Sequence, residues 1–221
     1  MNNILLQVTD LALFRGERCL FSGLSFSLDS GQVLQLHGEN GSGKTSLIRA
    51  LCTLLPIEEG EIAWRGQSLP AARDQYLAEM CYVGHSEAIK ADLSPRENQE
   101  FTATLLNTSS SMVNAAVERV GLTDQVDLPC RHLSAGQRRR VGLARLLISQ
   151  AALWLLDEPL TALDGHGRKL VEQLISEHAG NCGAVIFTTH QPLSLTAVEV
   201  LSLDLDASRV VDEDNSGSAV K

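Results

Sequence analysis

Short apolar runs and polar turns alternate along this chain, and their spacing changes character from one region to the next. Leu5 to Leu13 and Leu20 to Leu28 are apolar stretches with partial alternation, separated by the turn-like Arg15-Gly16-Glu17. That pattern predicts two antiparallel strands at the start of the chain. Val33-Leu34-Gln35-Leu36-His37 reads as a further strand running into a glycine-rich turn, and Thr45 to Leu55 then has helical character until Pro56 stops it. The region therefore predicts strand, loop and helix. Ile62-Ala63-Trp64 predicts another strand, and from about Ser86 to Ser149 the pattern is mainly helical. Ser94-Pro95-Arg96-Glu97 combines an N-cap residue, a proline at the first helical position and a glutamate at the capping-box spacing, so a helix is expected from Pro95 to about Leu106. A second is expected over Met112 to Val120, ending on Gly121 as a left-handed cap. Leu153 to Leu156 and Val185 to Thr188 read as strands with a polar helix, Gly167 to His178, between them. This is the rhythm of a parallel sheet. From Asp206 to Lys221 the residues are small and polar, which predicts a loose tail.

With 221 residues, 44% of them hydrophobic, the chain can bury a substantial core, which argues against a disordered or coiled class. No repeat of fixed period is visible, which disfavours solenoids and propellers. A formal charge of −9, from 27 acidic and 18 basic residues, repels nucleic acid and anionic lipid, so no nucleic-acid partner is expected. No stretch approaches the roughly 18 to 20 apolar residues of a spanning helix. Met1-Asn2-Asn3-Ile4 lacks the basic and apolar regions of a secretory signal, which points to the cytoplasm. The cysteines, Cys19, Cys52, Cys81, Cys130 and Cys182, are odd in number and form no Cys-x-x-Cys pair. Reduced, mostly buried thiols are expected.

Chemistry enters with Gly38-Glu39-Asn40-Gly41-Ser42-Gly43-Lys44-Thr45, a full match to the phosphate-loop pattern G-x-x-x-x-G-K-[ST], placed after a strand and opening a helix. The glycines let backbone amides turn around a β-phosphate, and the helix N-terminus adds partial positive charge. Lys44 supplies a full charge between the β- and γ-phosphates, Thr45 would hold Mg²⁺ through its hydroxyl, and Ser46 follows in the same turn. A plain glycine-rich turn with a solvated lysine is the bland alternative, and the strand-loop-helix context disfavours it. Further on, the apolar run Ala151 to Leu156 ends in Asp157-Glu158-Pro159. Polar residues ending a buried strand lie at the sheet edge where ligands of open α/β sheets bind. Asp157 is then a candidate for Mg²⁺, and Glu158 for polarising the water that attacks a phosphoryl group.

Leu133-Ser134-Ala135-Gly136-Gln137, followed by Arg138-Arg139-Arg140, resembles the signature sequence of the ABC ATPase family. The resemblance extends from Leu6 to about Leu205. It implies an α/β fold of the ABC-type P-loop NTPases: a mixed core sheet, an N-terminal antiparallel β region and an inserted helical subdomain at about 86–149. A single nucleotide-binding domain over 1–205 would precede the tail. In the family the signature faces the γ-phosphate on a second copy's phosphate loop, so two ATP molecules, with Mg²⁺, would be sandwiched between two copies. Leu160-Thr161-Ala162-Leu163-Asp164 looks like the family's D-loop, with Asp164 coupling the sites. His190, in Phe187-Thr188-Thr189-His190, looks like its switch histidine, and Phe14 falls where the family sets an aromatic ring against adenine. His85 stands where most members carry a glutamine that senses Mg²⁺ and the attacking water, and the neutral imidazole is expected to fill that role. The three arginines read as solvated and salt-bridged positions at a helix start.

Gly84-His85, the stretch Ile89 to Asn98 and the small size together resemble the ATP-binding subunits of the cytochrome c maturation system, described as haem exporters. That implies two copies docked under integral membrane permease subunits at the cytoplasmic face of the bacterial inner membrane. Hydrolysis would be tied to release of a haem-carrier protein. Leu93, Phe101, Leu105 and Leu106 are candidate apolar anchors for such a partner, although packing within the helical region explains them more simply. A soluble ABC ATPase of an iron-sulfur or division scaffold, or a transporter ATPase for another cargo, remains the alternative. A DNA-repair or translation ATPase is disfavoured by the single cassette and the acidic charge.

Overall fold

The structure, a computed structural model, describes residues 4–86, 88–191, 193–195 and 197–206. Among these the order is β1 (Ile4–Arg15), β2 (Arg18–Asp29), β3 (Val33–His37), α1 (Lys44–Leu51), β4 (Glu59–Trp64), β5 (Gln67–Ser68), α2 (Leu69–Glu79) and β6 (Met80–Val83). There follow α3 (Pro95–Leu105), α4 (Met112–Arg119), α5 (Ala135–Ser149), β7 (Leu153–Asp157), α6 (Gly165–Gly180), β8 (Ala184–Thr188) and β9 (Val200–Asp204). Apart from Asp206, the expected tail lies outside the described residues.

Two sheets organise the chain. One is four-stranded in the order β2-β1-β4-β5 and antiparallel, the other five-stranded in the order β6-β7-β8-β3-β9 with parallel pairs throughout. A parallel sheet with covered faces needs apolar side chains on both sides of each strand. Here Trp154 and Leu156 of β7 and Val185 and Phe187 of β8 enter one core cluster, shared with α4 and α5. Leu153, Leu155, Ala184 and Ile186 enter a second, shared with α1 and the antiparallel sheet. Alternation by twos thus glues a layer to each face.

Helix ends follow local chemistry. The expected capping box on α3 is present, with Ser94 and Glu97 bonding each other's backbone N–H groups. Gly121, at φ +69°, follows α4 in the left-handed conformation expected of it. Helix α1 is shorter than its periodicity suggests, because Thr53 turns left-handed at φ +57° before Pro56 is reached. Helix α2, β6 and β9 carry weak patterns that the periodicity did not reveal. The inward face of α2 is only Leu69, Ala72 and Tyr76, and Tyr76 is locked by an edge contact with Trp64 at 5.3 Å and a 2.7 Å bond to the Leu51 carbonyl. Three of the five thiols, Cys52, Cys81 and Cys130, are buried, and burial pushes Cys52 up to about 12.

His178, near the end of α6, lies flat on Trp154 with ring centroids 3.8 Å apart. Burial pulls its pKa down to about 4, the Ala152 and Ala184 backbone partly opposing the shift. The unfolded chain takes up a proton near the ordinary value of 6.5 and the folded chain does not, so stability from this group is complete above that pH. It is lost progressively as pH falls to about 4 and no further below it, roughly 3 kcal/mol in all. Denaturant midpoints from pH 7.5 to 4 should show that loss in the parent and not in His178→Phe; parallel curves would contradict it.

Candidate functional site

The phosphate loop leaves β3 after His37 through Gly38, Gly41 and Gly43, at φ +136°, +84° and +104°. Two of these positions are also crowded by neighbouring side chains. A Cβ on Gly38 would lie 2.5 Å from Ser42 Oγ, and one on Gly43 would lie 3.1 Å from the Phe21 ring. The β1-β2 hairpin therefore buttresses the loop, and Phe14, half-buried opposite Cys19, lies on that same hairpin. Lys44 opens α1 with its ammonium curled back over the loop, donating to the carbonyls of Gly38 at 2.6 Å and Glu39 at 2.9 Å. Asn40 and Thr45 are exposed and Ser46 half-buried. The amide of Glu39 donates to the carboxylate of Asp206 at 2.6 Å, so the residue at the start of the expected tail is pinned to the loop.

Strand register explains why residues so distant in sequence meet. Leu36 pairs with Thr188 across β3 and β8, and Asp157 pairs with Thr188 across β7 and β8. The C-terminal ends of three strands thus lie in one row beside the phosphate loop. Asp157 is buried, and one of its oxygens accepts from Thr188 Oγ1 at 2.9 Å and from Thr45 Oγ1 at 3.2 Å. Hard oxygen donors of this kind, a hydroxyl and a carboxylate, suit Mg²⁺.

Glu158 leaves the strand in the left-handed conformation, φ +51°, unusual for a residue with a side chain. Its N–H donates to Thr188 Oγ1 at 2.9 Å, and its carbonyl accepts from Arg139 Nη2 at 2.8 Å and from the Thr161 N–H at 3.2 Å. The carboxylate so aimed comes within 3.5 Å of His190 Nε2. A cavity of about 340 Å³ is lined by Gly38, Lys44 and His190 among others. A larger concavity, about 680 Å³, lies away from these groups between α1, β4 and α2.

The signature opens α5. Ser134 accepts from the Gln137 N–H at 3.2 Å, and the Gln137 side chain accepts from the Ser134 N–H at 2.8 Å, a closed capping box. Leu133 is buried beneath the turn while Ser134 and Ala135 stand exposed. Gly136 has a local reason to be glycine, because a Cβ there would lie 2.9 Å from the Ala162 carbonyl. Asp164 caps α6 by accepting from the Gly167 N–H at 2.8 Å, and that bond holds its carboxyl below the ordinary range. His85 is exposed, next to Gly84.

The reading of the three arginines as solvated is corrected. Arg139 is 2% exposed, Arg138 donates to the Leu133 carbonyl at 2.7 Å, and Arg140 reaches the carbonyls of Val120 and Gly121 at the end of α4. Sequence reasoning also missed Thr188 and Asp206. Both lie inside or beside quoted motifs, yet their partners are 31 and 167 residues away and leave no local trace.

Comparison with known proteins agrees with this geometry. The family model described as ABC transporter matches residues 21–161. The cytochrome c biogenesis ATP-binding export protein CcmA of Nitrosococcus oceani is 49% identical over 198 residues, covering 90% of this chain and 91% of the relative. The protein of the same name from Dechloromonas aromatica is 45% identical, covering 91% of this chain and 100% of the relative. Among solved structures, an ABC transporter ATP-binding protein from Pyrococcus furiosus superposes with a TM-score of 0.80 at 24% identity, covering 93% of this chain and 99% of that one. The ATP-binding subunit of another ABC transporter gives 0.77 at 21% identity, covering 84% and 79%. Phosphate loop, acidic strand end and signature, set in the α/β fold of those neighbours, make this chain a member of the ABC transporter family: an ATP-binding, ATP-hydrolysing transport subunit of the group that holds the cytochrome c biogenesis ATP-binding export proteins.

Proposed function

We propose that two copies of this chain close on two ATP molecules beneath integral membrane subunits, at the cytoplasmic face of the bacterial inner membrane, and that hydrolysis powers haem export or haem-carrier release in cytochrome c biogenesis. The observation that carries the chemistry is Glu158, forced into a left-handed turn with its backbone held on both sides and its carboxylate 3.5 Å from His190. In this reading Glu158 orients a water toward the γ-phosphorus. The water's oxygen bonds to phosphorus, the bond to the β,γ-bridging oxygen breaks, ADP leaves, and the released proton passes by way of the carboxylate. His190 steadies the carboxylate and the γ-phosphate, and Lys44 holds the phosphates. Thr45 and Asp157 would hold Mg²⁺, which when bound offsets the charge on the phosphate oxygens. Phe14 stacks on adenine, the exposed signature turn at Ser134 to Gly136 takes the second copy's γ-phosphate, Asp164 sets the loop between the sites, and His85 fills the usual glutamine's place. A single domain over 1–205, with a helical part at about 86–149, fits this division of labour.

Beside the His85 loop, a hollow of about 350 Å³ is lined by Ile89, Lys90, Phe101, Leu105, Leu106 and Arg145 among others. Phe101, Leu105 and Leu106 are 44%, 70% and 41% exposed, so three of the four candidate anchors face outward instead of packing the helical region. Lys90 lies over the Phe101 ring, its ammonium 4.6 Å from the centroid. Exposed apolar side chains beside Lys90, Arg145 and the polar Asn98, Gln99 and Thr102 suit a short amphipathic cytoplasmic segment of a membrane subunit. No helix among the described residues is long and apolar enough to cross a membrane.

The test is copurification from detergent-solubilised native membranes. The tagged parent should bring down small integral membrane proteins, and Phe101→Asp with Leu105→Asp should lose them while still binding ATP. Recovery of soluble partners only would overturn the transporter half of this reading.

A further inference from the structure

We propose that Arg139 is a positioning residue for hydrolysis: its guanidinium fixes the backbone at Glu158 and ties that turn to the His85 loop and to the signature helix. The inference rests on the reading of Glu158 given above. Arg139 is the fifth residue of α5 and points into the protein, where four carbonyls converge on it. Nη1 donates to Gly84 at 2.7 Å, Nη2 to Glu158 at 2.8 Å and Asp157 at 3.3 Å, and Nε to Pro159 at 3.3 Å. One planar, permanently charged group thereby joins the residue before His85, both carboxylate-bearing residues at the end of β7, and the first residue of the following loop.

Charge and shape both matter to this arrangement. A guanidinium carries five N–H donors in a rigid fork, so it can span carbonyls from two chain segments at once; an ammonium offers three donors from a single point. The segment it grips needs support, because a glutamate at φ +51° occupies a sparsely populated conformation. Thr188 restrains the N–H side of Glu158 and Arg139 the carbonyl side. Without the guanidinium the carbonyl keeps the longer, 3.2 Å bond from the Thr161 N–H, a weaker restraint that lets the peptide rotate and the carboxylate move away from His190. Since Arg139 shares a helix with Ser134 and Gly136, any displacement of the signature turn is carried by the helix to Glu158. Arg140 reaches the carbonyls of Val120 and Gly121 at the end of α4, outside this turn.

The experiment uses the membrane-derived complex carrying Arg139→Lys or Arg139→Gln, each confirmed folded by its thermal transition, with and without Glu158→Gln. In the parent background, either change should lower kcat by about 10- to 100-fold with KM for ATP within about threefold, Lys being the milder. In the Glu158→Gln background, the single-turnover rate should fall by less than about threefold more, because the carboxylate whose place Arg139 sets is gone. Equal falls in both backgrounds, an unchanged kcat, or a loss confined to KM would overturn the proposal. So would failure of both variants to fold, which would make Arg139 a residue of stability alone. Glu158→Gln by itself reports on the base: if that variant turns over normally, the reading of Glu158 fails independently of what Arg139 does.

Discussion

Lys44→Ala should weaken ATP binding by about 10- to 100-fold and bring hydrolysis below detection. The ammonium is the full positive charge seated in the phosphate loop, held at 2.6 and 2.9 Å from two of its carbonyls, so it is already positioned to meet a phosphate. Charge-assisted bonds of this type contribute roughly 1.5 to 3 kcal/mol each. Fold should survive, because the ammonium bonds only loop carbonyls and the helix behind it is anchored by Leu47, Ile48 and Leu51. Titration with a fluorescent ATP analogue, alongside a thermal unfolding curve, measures this. Unchanged affinity in a folded variant would remove Lys44 from the site.

Glu158→Gln should behave in the opposite sense. Its carboxamide keeps the size and the backbone contacts to Thr188 and Arg139 while losing the capacity to take a proton. ATP affinity should stay within about threefold and turnover should fall by about 100- to 1000-fold, within the roughly 100- to 10,000-fold that a general base contributes. Because binding survives and hydrolysis does not, the variant should accumulate with ATP as a two-chain species on size exclusion, whereas the parent returns to its resting state as ATP is consumed. Retained turnover would transfer the water-orienting role to another group at the sheet edge, with His190 the first to test.

Much of this was legible because the relevant chemistry is local. The phosphate loop, the capping box at Ser94 and the acidic end of β7 each depend on residues adjacent in sequence, and each lies where its pattern placed it. The antiparallel start of the chain was legible for the same reason, since alternation and a glycine turn specify a hairpin between neighbours. What escaped depends on partners far apart in the chain. Arg139 reads like its two neighbours until the fold brings four carbonyls around it, and Thr188 reads as the end of an apolar strand until the parallel register sets it between Asp157 and Glu158. Helix α2 escaped because its inward face is three residues, one an alanine, and the early end of α1 because nothing near Thr53 announces a left-handed turn. The outward placement of Phe101 and Leu105 is a tertiary outcome too. Their helix buries the opposite side, Asn98, Gln99 and Ala103, where Gln99 donates to the Val141 carbonyl at 2.8 Å.

Phosphate release from Mg-ATP should be measured on complex isolated through this chain from detergent-solubilised membranes, in parallel with complex carrying Glu158→Gln. Steady turnover by the parent, lost in the variant while membrane subunits remain bound in both, is the result expected of a transport ATPase with Glu158 at its centre. Equal turnover by the two preparations, or a parent that brings down no membrane subunit, would contradict it.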